Sequence, residues 1–416
     1  MKHTAMFDTF LRSISLLFSA GDCEEPIEEK YAPVVEELRI WVGADKKRRQ
    51  DFEAGIHTAR APNTLEVHAI HSVDDYYNFI NEQLFWIPSE AVRPKDLLFR
   101  LRTMWFVLDQ PSIMGYQSPV RPSMGSERLI DSGLTWLSAW MVRYSNEIGK
   151  FMDMPESAAA LHTFRTSPSY HIEDYIEPRG GWPTFNAFFA RHVKPGRRPI
   201  DSIGDNSVVT SPADLQFKEA HRLTPESTVL TKGLVWPLAQ MFAGSPYKDR
   251  FANGVWLHGF LNVDDYHRVH TPLAGKVLEA RIITGQNYML VEADSARGGD
   301  GVSELCIPNE TGYQFCQSRG LVILDTGAGL VAVLPVGMAI VSSVVLTAEV
   351  GAELHKGEEL GYFQFGGSDV FLVFEERLGV EIHMERGRHY RMGREIGRVD
   401  VDSSFYKPAS NAGENK

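Results

Sequence analysis

The sequence predicts an α+β fold, with helices gathered in its first part and strands in the remainder. Two patterns carry this reading. Up to about residue 165, apolar residues recur three and four positions apart, the period of helices buried on one face. Beyond that point, short β-branched runs alternate with Gly, Pro, Asp and Asn. The length of 416 residues leaves room for two or three domains.

The helical part divides into "VVEELRIWVGADKKRRQDFEAGI", "VDDYYNFINEQLFWI", "KDLLFRLRTMWFVLDQ" and "LTWLSAWMVRYSNEIGKFMDM". Proline-rich breaks, "PSEAVRPKD" and "QSPVRPSMGS", separate them. Trp41, Trp86, Trp105 and Trp136 read as core. After "RGGWPTFNAFFARHVKPGRRPI" come the strands: "VVTSPADLQF", "VWLHGFLNV", "GKVLEARIIT", "NYMLVEAD", "LVILDT", "LVAVLPV", "AIVSSVVL" and "DVFLVFE". The expected organisation is a helical extension over 1–165, a β-rich domain over 166–405 and a frayed tail over 406–416.

Bulk properties narrow the function. Formal net charge is −12, which works against general affinity for nucleic acid. The basic clusters "KKRRQ" and "KPGRRP" read as solvated faces or loops. Three cysteines, Cys23, Cys306 and Cys316, form no CxxC pair and no disulfide framework. That usage suits a reducing compartment, so a cytoplasmic location is expected. The opening "MKHTAMFDTFLRSISLLFSAGD" has a signal-peptide look, but Asp8 and Arg12 interrupt its apolar run, so cleavage is not expected. Thr326 to Ala348 carries no charge and is long enough to span a bilayer. Its glycines, Pro335 and many valines read instead as two buried strands, and no membrane insertion is expected.

Three places hold chemistry-bearing residues. Asp214 follows a Pro-Ala turn in "SPADLQF", where most aspartates only accept local backbone hydrogen bonds. His267 and His270 lie three apart in "LNVDDYHRVHTPLAGKV". On a strand that spacing sends the rings to opposite faces, and no further ligand is evident, so no metal is expected. "FQFGGSDVFLVFE" breaks at Gly366-Gly367-Ser368, either a tight hairpin or a serine presented for chemistry on its own backbone. Two other motifs read as decoys. "TGAGLVA" fits a loose dinucleotide fingerprint but is followed by a β-branched run instead of a helix. "PLAGKVLEARIITG" with "EVGAELHKGEELGYFQF" resembles lipoyl and biotinyl carrier domains in architecture.

Together, "FNAFFARHVKPGRRPI", "SPADLQF", "YHRVHTPLAGKV", "VGMAIVSSV" and "KGEELGYFQFGGSDV" resemble, in order, the motifs of phosphatidylserine decarboxylase-like enzymes over about residues 165 to 400. The helical part, with "HGFLNVDDYHRVH" and "FGGSD", resembles the subgroup that includes the fungal L-tryptophan decarboxylase of psilocybin biosynthesis. The resemblance implies that Ser368 Oγ attacks the carbonyl carbon of Gly367, cutting the chain and leaving a self-derived pyruvoyl group at position 368. It implies His270 as the base, Asp214 as the carboxylate orienting it, and His267 as the proton donor in turnover. It also implies that the two fragments stay associated. Two departures stand out: Leu215 where the family usually has glycine, and Asp369 after the serine. Asp369 would put a carboxylate beside the pyruvoyl and disfavour an anionic substrate. The expected activity is decarboxylation of a soluble amino acid, aromatic in the manner of tryptophan. The alternatives are phosphatidylserine decarboxylation and a non-catalytic binding role.

Overall fold

A computed structural model describes residues 30–91, 96–120, 133–224, 226, 228–231, 234–296, 302–306, 313–338 and 343–400. The signal-like start, residues 339–342 of the expected "AIVSSVVL" strand and the tail over 406–416 lie outside the described residues.

Helices form where the spacing predicts them: Pro33–Gly43, Lys46–Arg60, Val73–Leu84, Asp96–Leu108 and Trp136–Met152. The first expected segment is two helices, not one. Asp45 adopts an extended backbone and its carboxylate accepts from Arg48 N at 2.9 Å, capping a new helix. Buried aromatics join the helices through their polar ends as well as their rings. Trp140 Nε1 donates to Val34 O at 2.6 Å, Tyr144 Oη to Ile80 O at 2.7 Å, and Trp41 stacks on Trp136 at 4.3 Å.

The β-rich part centres on an eight-stranded antiparallel sheet. Its spatial order is Glu353–Leu354, Gly275–Ile283, Arg319–Asp325, Leu330–Met338, Gly367–Phe374, Val255–Leu261, Leu215–Arg222 and His389–Tyr390. A three-stranded sheet pairs Val344–Leu346 with Glu359–Phe363 and Arg268–His270. The large sheet is covered on both faces. Val370, Leu372 and Phe374 belong to the core shared with the helical part. Phe371 and Val373 point into a second core closed by the Leu238–Phe242 helix and the single turns Lys248–Phe251 and Tyr313–Cys316. A strand buried on both sides explains the near-continuous apolar run "VFLVF".

One strand reading changes in detail, and the two decoy motifs take structural roles. Only Glu292–Asp294 of "NYMLVEAD" is strand. The residues before it bind the helical part instead: Asn287 Nδ2 donates to Ser145 Oγ at 2.6 Å and Val291 N to Asp109 Oδ2 at 2.9 Å. The "TGAG" motif is the turn of an antiparallel hairpin, closed by Thr326 N to Gly329 O at 3.0 Å. In the carrier-like segment, Lys356 is buried and its ammonium donates to the carbonyls of Ser202, Asp205 and Val208, so it is not offered for modification. No helix among the described residues is long and apolar enough to cross a membrane.

Leu215 has a structural partner. It is fully buried and lies over Gly259 on the neighbouring strand, where an added Cβ would come within 2.7 Å of Leu215 Cδ2. A bulkier residue in one strand is thus matched by a missing side chain in the next. Gly259→Ala is expected to destabilise the fold by about 1–3 kcal/mol through overpacking. Adding Leu215→Ala should restore most of the loss, a coupling that urea denaturation of the single and double variants would measure.

Candidate active site

Ser368 does not sit in a hairpin. It lies at the beginning of the Gly367–Phe374 strand, paired with Gly337 on one side and Leu261 on the other. The chain interruption falls just before it, at Gln364 to Gly366, where Gly366 has φ of +149°. That conformation is open to glycine and unfavourable for residues with a Cβ, so Gly366 lets the chain turn from the Glu359–Phe363 strand into the central one. The Ser368 side chain is fully buried and its hydroxyl has no hydrogen-bond partner among the described residues. An unpaired buried hydroxyl costs free energy, about 1–3 kcal/mol, and calls for an explanation.

The helical part and the first motif hold this turn. Asn186 Oδ1 accepts from Phe365 N at 2.9 Å, while its amide donates to Asp153 Oδ1 at 2.9 Å. Phe185 packs edge-on against Phe365 with ring centres 5.3 Å apart. Asn186 was not among the expected site residues. Its signal lies inside "FNAFF", where one amide stands among three phenylalanines and an alanine.

His267 and His270 are both buried but occupy different surroundings. The His267 carbonyl accepts from Phe363 N at 2.9 Å, which fixes it beside the strand leading into the turn. Its ring stacks on Phe189 at 3.8 Å, and neither ring nitrogen has a well-formed hydrogen bond. Burial pushes its pKa well below the ordinary histidine value, and the Arg191 guanidinium adds to this. Arg191 Nη2 also donates to the carbonyls of Asp264 and Asp265, holding the loop before His267. The His270 ring lies 2.8 Å from Gly357 O through Nδ1 and 3.0 Å from Tyr266 Oη through Nε2. A carbonyl only accepts, so Nδ1 carries the proton and Nε2 keeps its lone pair toward Tyr266. Burial lowers this pKa as well, against the bond to Gly357.

Asp214 does not orient His270. Its carboxylate is taken by Arg198, from Nε at 2.9 Å and Nη2 at 2.6 Å, and by Met392 N at 2.8 Å. What it shares with His270 is a loop: Pro212 O, two residues earlier, accepts from His270 N at 2.8 Å. Arg198 corrects a second reading, since this residue of "KPGRRP" is buried between Asp214 and Asp174 instead of solvated. Spacing gave no hint of this, because burying a guanidinium depends on carboxylates supplied from distant parts of the chain. Asp369 corrects a third. A strand sends adjacent side chains to opposite faces, so its carboxylate faces the second core, away from Ser368, with Oδ1 2.7 Å from His258 Nε2.

An α+β fold in which a strand buried on both faces begins with a glycine-preceded, unbonded serine defines a class of chain organised around that one hydroxyl. The phosphatidylserine decarboxylase family profile matches residues 185–398, just over half of the sequence. The chain belongs to the phosphatidylserine decarboxylase family, whose members are carboxy-lyases. It is 28% identical over 274 residues to phosphatidylserine decarboxylase proenzyme 2 of Oryza sativa subsp. japonica, covering 65% of this chain and 41% of the relative. It is 31% identical over 235 residues to the phosphatidylserine decarboxylase proenzyme of Fusobacterium nucleatum, covering 56% of this chain and 73% of the relative. It is 27% identical over 262 residues to decarboxylase iboD of Amanita muscaria, covering 58% and 75%. The aligned region thus spans well under half of the rice relative.

The two buried histidines make stability depend on pH. Their folded pKa values lie below the unfolded value of about 6.5, so the unfolded chain binds more protons in acid. Their contribution is complete above that value and is lost as pH falls below it. Urea denaturation between about pH 8 and pH 5 should show this loss. His267→Phe, which keeps a ring on Phe189, should flatten the slope; an unchanged slope would contradict a neutral buried His267.

Proposed function

We propose that this chain is a self-cleaving decarboxylase that makes a pyruvoyl group from Ser368 and removes CO2 from the α-carboxylate of an L-amino acid. The observation that carries the reading is the buried, unbonded Ser368 hydroxyl one peptide bond after a glycine pair. Oγ attacks the Gly367 carbonyl carbon, the amide nitrogen of Ser368 takes a proton as its bond to that carbon breaks, and an ester remains. Loss of the Ser368 α-proton expels the Gly367 carboxylate, and water then releases ammonia, leaving the pyruvoyl group on the nitrogen of Asp369. The site fits such a group, since positions 366 and 367 carry no Cβ to crowd the carbonyl. When formed, the pyruvoyl carbonyl supplies the electron sink for the charge left behind by CO2.

The residues divide the remaining work. His270 takes the proton in cleavage, because its tautomer leaves Nε2 basic. His267 moves the proton in turnover, because its ring is neutral, without a well-formed hydrogen bond and beside the approach to the turn. Arg198 and Asp214 hold the loops between them. The fragments 1–367 and 368–416 stay associated, because the Gly367–Phe374 strand pairs on both sides with strands of the larger fragment. Phe185, Phe189 and Phe365 favour a flat apolar substrate side chain, and the helical part lies over the serine's face of the sheet. The names of the rice and bacterial relatives favour a second reading, with phosphatidylserine as substrate.

Intact mass of the purified protein should show two fragments divided before residue 368, and Ser368→Ala should remain whole. His270→Ala is expected to stay uncut, whereas His267→Ala should cut normally and lose turnover by about 100-fold or more. Identical behaviour of the two variants would remove the division of roles. CO2 release from tryptophan, tyrosine and phosphatidylserine decides the substrate: turnover of the lipid alone overturns the amino-acid reading.

A further inference from the structure

Asp369 and His258 form a buried polar pair that the reaction above does not use. Asp369 is 1% exposed, and its Oδ2 has no partner among the described residues. Its Oδ1 meets His258 Nε2 at 2.7 Å. The His258 ring is itself fixed, stacked on Phe371 at 4.5 Å and tilted against Trp256 at 5.9 Å. The half-buried Lys218 is close enough to feel the Asp369 charge. Holding a carboxylate here is costly, and the five residues that follow, Val370 to Phe374, are all apolar.

We propose that the Asp369–His258 pair is a clamp that keeps residue 368 in place after the chain is cut before it, an inference that rests on the self-cleavage reading. Cleavage turns position 368 into a chain end, and chain ends fray unless tied down. Among the described residues, the last partners on either side are Met338 for Gly367 and Leu261 for Ser368. The backbone nitrogen of Asp369 bears the new group, so anchoring the Asp369 side chain fixes that group's position. The anchor crosses from the smaller fragment to the Val255–Leu261 strand of the larger one. It also acts from the opposite face of the sheet, leaving the serine's face free. Misplacing a reacting atom by about 1 Å costs on the order of 100-fold in rate, so a tie at the adjacent residue makes Asp369 and His258 positioning residues for turnover.

Hydrogen exchange tests the clamp, with Asp369→Ala placed in the cleaved wild type and in the uncut Ser368→Ala background. Exchange of the amides of residues 370–372 should rise about tenfold in the cleaved protein and less than about twofold in the uncut one. Asp369→Asn keeps an acceptor for the His258 ring and should restore protection and kcat. Equal exchange in both backgrounds means a merely structural contact and overturns the clamp, as does no change in either. If Asp369→Ala folds but stays uncut, the pair acts before cleavage and the clamp is likewise overturned. Where Asp369→Ala fails to fold, His258→Gln is read by the same comparison. A wild type that is never cut overturns both the clamp and the reading beneath it, and intact mass separates that result from the others.

Discussion

The central strand, Gly367–Phe374, is the constraint on which the rest depends. It is hydrogen-bonded to a neighbour on each side and buried on both faces, so its position is set by four surroundings at once. A serine at the beginning of such a strand cannot move to satisfy its hydroxyl. The surrounding sheet therefore holds in place an arrangement that the serine alone would avoid, and it does so where the chain has just turned through Gly366.

Other buried polar groups serve that strand indirectly. Arg198 joins Asp214 to Asp174, Arg191 fixes the carbonyls before His267, and Arg268 meets Glu359 on the strand that leads to the turn. Each guanidinium ties together separate parts of the chain; Arg198 and Arg268 meet carboxylates, while Arg191 bonds carbonyls through Nη2 and keeps Nε without a partner among the described residues. The two histidines differ in this respect: neither His267 ring nitrogen has a well-formed hydrogen bond, whereas His270 meets Gly357 O through Nδ1 and Tyr266 Oη through Nε2. Burial lowers both pKa values and favours the neutral rings.

The helical part contributes in the same way. Its aromatic core packs against the face of the sheet that bears Ser368, and Asn186 carries its influence to Phe365 through one side chain bonded at both ends. The family profile covers residues 185–398, and the helices up to Met152 lie before that span.

Periodicity alone determined the α+β class, the longer helices and most strands of the large sheet, because burial on one face leaves a repeat of 3.6 or 2 in the residues themselves. The order of motifs brought Ser368, His267, His270 and Asp214 to notice. The partners of these residues were decided only in three dimensions. Asp214 was legible as a candidate, but its bonding to Arg198 in place of His270 was not, since Arg198 looks like any loop cation until two carboxylates close around it. Asp369 looked like a neighbour of the reacting group, and the alternation of the strand turned it away. Sequence records which side chains are available; which atoms meet depends on strand register and on contacts between residues from 16 to 111 positions apart, and no local pattern encodes those.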